Sequence, residues 1–187
     1  HSPDPMKAAS AADALGSAAP EAPHLVHMGS HIYKNIGRFA DGSRANQQAL
    51  EVQKRFDAVL QAQGVKSSGR WDAHHLHFLW YAALMEGRTT LSLQTARTFA
   101  ERFGNEGDGF GEYAQLLPLA TLVRLARWDD VLAEPAPRPG LGLTEGFAAY
   151  ARGMAHLNGG RLDRAKAELA HVQRLRNQPT LQRARMG

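Results

Sequence analysis

ARGMAHLNGGRLDRAKAEL, residues 151–169, decides the fold: two helix-forming stretches meet at one tight turn, Gly160-Arg161-Leu162. The small residue lets the chain reverse, and the Arg and large side chain after it begin the next helix. The same turn recurs at Gly37-Arg38-Phe39, Gly87-Arg88-Thr89 and Ala126-Arg127-Trp128, so successive turns lie 50, 39 and 34 residues apart. Around them, Tyr33 lies four before Gly37, Gly153 seven before Gly160 and Ala165 five after it, while Ala49-Leu50 is a small/large pair in a second helix. Helix pairs recurring at a period of this size mark a repeat architecture. The longer intervals are expected to come from loop insertions of the Gly- and Pro-rich kind seen in GNEGDGFG (104–111) and PAPRPGLG (135–142).

Composition agrees. The 187 residues hold 31 Ala against 7 Val and 2 Ile, and 43% are hydrophobic. Ala, Leu, Gln and Arg favour helices, whereas strands favour β-branched and aromatic residues, so the expected class is all-α. The length is enough to bury a core, and one domain spanning 1–187 is expected. With no cysteine there is no disulfide scaffold, thiolate cluster or Cys-based zinc site. A cysteine-free chain is stable on either side of a membrane; the cytoplasm is favoured. No apolar run approaches the ~20 residues of a bilayer span, because Pro118 and Arg124 interrupt the longest candidate. The chain opens on His1 with no Met and no apolar signal segment, which suggests a fragment of a longer protein.

Caps and breakers predict helices over 4–15, 24–37, 41–62, 72–86, 89–104, 112–126, 129–133, 144–158 and 162–177. Asp4, Asp72 and Thr144 are the expected caps, Pro5 and Pro23 the expected first-turn prolines. In the third helix Ala45, Ala49, Phe56, Val59 and Leu60 are expected near one buried face. The repeats then cover about 24–63, 72–104, 112–133 and 144–177, with a half repeat at 1–18 and a frayed tail at 179–187.

On the strength of GRLDRA (160–165) and IYKNIGRF (32–39), the chain resembles a tetratricopeptide-repeat protein over nearly its whole length. That resemblance implies a right-handed superhelix of antiparallel helix pairs, an α-solenoid with a concave groove. HLVHMGSHIY (24–33) and HHLHFLWYAALMEGR (74–88) further resemble a bacterial group of such proteins, in which a Pro is expected where Gly29 stands and an Asn where His75 stands. The helix at 4–15 looks like the second half of a repeat whose partner, with other upstream repeats, is missing.

Six of nine histidines fall in the first helices of two adjacent repeats. His24, His27 and His31 have spacings i, i+3 and i+7, within roughly a 60° arc at ~100° per residue. His74 and His77 repeat the i, i+3 spacing, while His75 points about 100° away from His74. His24 and His74 both lie thirteen residues before their turn glycine, and His27 and His77 both lie ten before. The resemblance places these positions on the groove, where first helices of neighbouring repeats run ~10 Å apart. Imidazoles facing across that gap are candidate ligands for Zn, Cu, Ni or Fe. The same groove is expected to be lined by Lys34, Asn35, Tyr81, Tyr113, Phe147, Tyr150 and Met154.

Two functions follow as expectations. One is a scaffold that holds a peptide, protein segment or small ligand in the groove. The other is a transition-metal protein, or a hydrolase or oxidase built on the histidines. No HExxH pattern is present and no acidic residue falls inside either His cluster, so a metal-bound water would have to carry such chemistry. Seven Lys/Arg against two acids from Gly160 onward make a basic end. Without interleaved aromatics, this reads as the solvated face of a terminal helix, not a nucleic-acid site.

Overall fold

The structure is a computed structural model and describes residues 3–66, 69–105, 109–138 and 140–176. The described residues form helices joined by turns, with no strand among them. Asp4 and Pro5 open a short 3-10 turn, Pro5–Ala8, which leads into α1 (Ala9–Ala18). There follow α2 (Pro23–Asn35), α3 (Phe39–Ala62), α4 (Arg70–Met85), α5 (Thr89–Phe103), α6 (Gly109–Arg124), α7 (Trp128–Ala133), α8 (Gly142–Asn158) and α9 (Leu162–Arg176). No helix of the described residues is long and apolar enough to cross a membrane.

The four turns read from the sequence share one backbone geometry. Gly37, Gly87, Ala126 and Gly160 all adopt positive φ, at 77°, 81°, 53° and 71°. In each case the next residue, an Arg, donates its backbone N–H five residues back: Arg38 to Tyr33, Arg88 to Ala83, Arg127 to Leu122 and Arg161 to His156, at 2.9–3.0 Å. This is the Schellman closure of a helix C-terminus. The carbonyl of the same Arg then accepts the first bond of the next helix, from Gly42, Ser92, Val131 and Ala165. One residue thus ends one helix and starts the next. Ala126 alone among the four carries a Cβ in the left-handed region, which L-residues enter at a cost of ~1–2 kcal/mol.

The chain divides into two compact units, His1–Thr95 and Ala96–Gly187, with the boundary inside α5. In the first unit α1 packs on α2, α2 on α3 and α3 on α4, and α2 also touches α4. Val26, Ala49 and Val52 form a buried cluster between α2 and α3. Gly29 sets the approach of α1 to α2: a Cβ there would lie 2.9 Å from the Ala12 carbonyl oxygen and 3.2 Å from the Tyr33 ring. Beside that contact Tyr33 donates to Asp13 Oδ1 (2.9 Å), and Arg38 pairs with the same carboxylate (2.8 Å). In the second unit α6, α7 and α8 pack together and α9 packs on α8. Its core runs through Leu117, Leu122, Val131 and the small faces of Ala148, Ala149, Ala151 and Ala155. Thr144 ties α8 to α6 by bonding Glu112 through both its N–H (3.0 Å) and its hydroxyl (3.3 Å). Arg152 and Glu168 join α8 to α9 with two bonds, at 2.7 and 3.0 Å.

Several expectations need correction. Asp4 makes no capping bond, and Asp72 and Thr144 lie within first turns because α4 begins at Arg70 and α8 at Gly142. Phe56 and Val59 are 44% and 55% exposed. At 24 residues α3 is about 36 Å long, against about 20 Å for α2 and 24 Å for α4. Its far end therefore outreaches both neighbours, and only the face through Asn46, Ala49, Val52 and Gln53 is covered. The predicted tail at 179–187 and part of each of the stretches between predicted helices at 64–70, 104–111 and 135–142 lie outside the described residues.

Candidate metal centre

α2 and α4 each present a run of imidazoles, and the first unit brings these runs together. His27 comes from the middle of α2 and is fully buried. Its Nδ1 lies 2.6 Å from Asn46 Oδ1 on α3, while the Asn46 amide N–H donates to the Gly42 carbonyl at 2.7 Å. With its NH2 so committed, Asn46 offers only oxygen to His27. Nδ1 of His27 therefore carries the proton, and Nε2 is left with a lone pair. That lone pair points at His31 Nε2, 2.9 Å away. A helix carbonyl thus fixes an amide, the amide fixes the imidazole tautomer, and the free nitrogen is aimed at a second imidazole. Metal-binding histidines are held by this kind of outer support.

His74 completes the group. Ligand atoms of His27, His31 and His74 all lie within 4.8 Å of one another, the only group of its kind among the described residues. It contains neither carboxylate nor thiolate. The His74 ring centroid is 4.5 Å from that of His27 and 5.5 Å from that of His31, and the Phe78 ring closes one side at 4.4–4.9 Å from all three. His24 sits one turn before His27, with its ring 5.6 Å from His27 and 6.0 Å from His74, and packs on Trp71 at 3.9 Å.

His75 joins the cluster although its position in sequence points it away. Its ring lies 4.9 Å from His27 and 6.2 Å from His24, and it is fully buried. Neither of its ring nitrogens has a hydrogen-bond partner, and His24 Nδ1 is likewise buried and unpartnered. His77 lies outside the three-histidine group and stacks on Trp80 at 5.4 Å. The reason is the rotation of α4. The side chains that meet α2 are His74, His75 and Phe78, whose common arc centres about 110° from His77 at 100° per residue. Equal register in two repeats therefore does not give equal facing.

Electrostatics keep these imidazoles neutral. Burial pushes His27 from the ordinary 6.5 down to about 3, against the Asn46 hydrogen bond, which raises it, and with help from the charges His74, His75 and His31 would carry. Burial, then His74 and His24, pushes His75 down to about 4. His24, His31, His74 and His77 are also lowered, in each case mainly by burial. At neutral pH the cluster therefore offers lone pairs and carries no charge of its own, Lys34 being the cation beside it, which helps to lower His31 and His77. Its one bridging proton lies between His27 Nε2 and His31 Nε2. His31 can move that proton to Nδ1 without loss of neutrality and free Nε2 as a ligand.

The other expected groove residues are placed as follows. Lys34 and Tyr81 line a water-sized cavity of about 10 Å³ with Ser30, Phe39, Asn46 and Phe78, directly beside the histidines. Asn35 is exposed at the end of α2. In the second unit, Tyr113 is half-buried on α6, and burial raises its phenol. Phe147 and Tyr150 pair at 5.7 Å on α8 with Tyr150 half exposed, and Met154 follows one turn on. Asn46 and His75 are the site residues that sequence reasoning missed. No protein-family model, curated protein or solved structure matches the chain.

Proposed function

We propose that this protein binds a transition metal through His27, His31 and His74, within helix pairs of tetratricopeptide type. The observation that carries the reading is the His27 relay: Asn46 holds Nδ1 protonated at 2.6 Å, and Nε2 faces His31 Nε2 at 2.9 Å with His74 in reach. Two ligand nitrogens on one tetrahedral ion, each about 2.0–2.1 Å from it, are about 3.3 Å apart. The His27–His31 pair needs only a few tenths of an ångström to accept one. Neutral imidazoles suit Zn, Cu, Ni and Fe. Elemental analysis after gel filtration tests the reading, with Co(II) as a visible-absorption probe. About one ion per chain is expected, lost in the His27→Ala/His74→Ala double variant. A chain that stays metal-free after incubation with Zn(II), Cu(II), Ni(II), Co(II) and, without oxygen, Cu(I) would overturn it.

A second reading, ligand binding in a groove, is favoured by the Phe147–Tyr150 pair, since a half-exposed Tyr beside a Phe offers stacking and a hydroxyl to a peptide or small ligand. It predicts that a panel of peptides binds the wild type and not Phe147→Ala/Tyr150→Ser. Equal binding by both proteins counts against it.

A further inference from the structure

The three-histidine group leaves part of the pocket unexplained. His75 is fully buried with both ring nitrogens unpartnered, and His24 Nδ1 is buried and unpartnered beside it. Buried polar atoms without partners are rare and costly in folded proteins, so two side chains with this defect in one cluster call for a ligand. An ion about 2.0–2.1 Å from a ring nitrogen lies about 3.2 Å from the ring centroid, so two rings on one ion are about 5–6 Å apart, nearest the upper value when they face each other across it. The His24 and His75 rings are 6.2 Å apart and 24° from parallel.

We infer that His24 and His75 hold a second ion beside the first, and that both ions are monovalent copper. This rests on the three-histidine reading. The choice of ion follows from charge. Every donor in the pocket is a neutral imidazole, and the ligand group holds no carboxylate or thiolate. Two divalent ions would bring four positive charges into a partly buried site with no anion among the ligands, whereas two Cu(I) ions bring two. The desolvation penalty grows with the square of the charge on each ion and their mutual repulsion with the product of the two charges. Copper is also among the metals that imidazole ligates well. Trp71 packs on the His24 ring at 3.9 Å, tilted by 37°.

The test is an anaerobic titration of the wild type with Cu(I), supplied as its acetonitrile complex against the competing chelator bicinchoninate. Copper per chain is counted after gel filtration, and Zn(II) is titrated in parallel. Two Cu(I) and at most one Zn(II) are expected for the wild type. One Cu(I) is expected for His75→Leu and for His24→Leu, each checked for helix content by circular dichroism. His75→Leu removes two orphaned nitrogens and is expected to fold, and His24→Leu, at the edge of the cluster, gives the same readout independently. One Cu(I) in the wild type, unchanged in both variants, would overturn the second ion and leave the three-histidine reading standing. No bound Cu(I), Zn(II) or other metal would overturn both. Two Zn(II) held as tightly as two Cu(I) would overturn the choice of ion.

Discussion

Acid should unfold the metal-free protein well before its carboxylates are titrated. His27 and His75 are fully buried, and their folded values are about 3 and about 4 against an ordinary 6.5. In the unfolded chain both regain protons below pH 6.5, while in the folded chain they stay neutral until much lower. Between those values the unfolded state binds more protons, so stability falls as pH falls. Each group costs up to about 1.4 kcal/mol per pH unit, and at pH 4.5 the two together cost about 5 kcal/mol. A loss of that size is comparable to the whole stability of many domains. Urea denaturation in the presence of EDTA, followed by circular dichroism and Trp fluorescence at pH 7.5, 6.5, 5.5 and 4.5, measures it. The midpoint should hold steady down to about pH 6.5 and then fall steeply. His75→Leu should flatten the slope by up to about 1.4 kcal/mol per pH unit, the share His75 contributes beside the other lowered histidines. A profile flat from 6.5 to 4.5 would refute the account of buried neutral imidazoles.

Other outcomes follow from single contacts. Asn46→Ala strips His27 Nδ1 of its 2.6 Å partner; it should cost about 1–3 kcal/mol in urea denaturation and weaken metal binding about 10–100-fold by titration. Ala126→Gly relieves the left-handed Ala at φ 53° and should stabilise the second unit by about 1 kcal/mol, read as a rise in its thermal midpoint, whereas Gly87→Ala should lower stability by a similar amount. Gly29→Ala puts a Cβ 2.9 Å from the Ala12 carbonyl oxygen. It should loosen α1 at a cost of about 1–3 kcal/mol, seen as faster amide exchange at Ala9–Ala18 with α4 unaffected.

What the sequence disclosed is what short-range chemistry controls. A residue suited to φ > 0 followed by Arg marks each turn because the closure involves six consecutive residues, and all four turns form as read. His24, His27 and His31 share one face because i, i+3 and i+7 spacing survives in any helix, whereas His74 reaches them from α4. The facing of α4 was not legible. Apolar residues surround that helix on every side, so no stripe fixes which arc meets α2, and His75 came inward while His77 turned aside. Adjacent histidines beside Phe78 and Ala82, on the arc that proved to be covered, were the one hint. Asn46 carried no signal, since it stands 19 residues from the imidazole it orients. Phe56 and Val59 look like core residues by period, and only the unequal lengths of α2, α3 and α4 leave them bare.

The double duty of Arg38, Arg88, Arg127 and Arg161 has an evolutionary corollary. Where one residue both closes a helix and opens its successor, there is no slack. Adding or deleting a single amino acid would swing the following helix by about 100° and present the wrong side to its neighbour. Length variation is therefore driven out of these hinges and into the elements between them. The unequal intervals of 50, 39 and 34 residues record that division of labour: fixed corners, and second helices of 24, 15 and 6 residues in α3, α5 and α7.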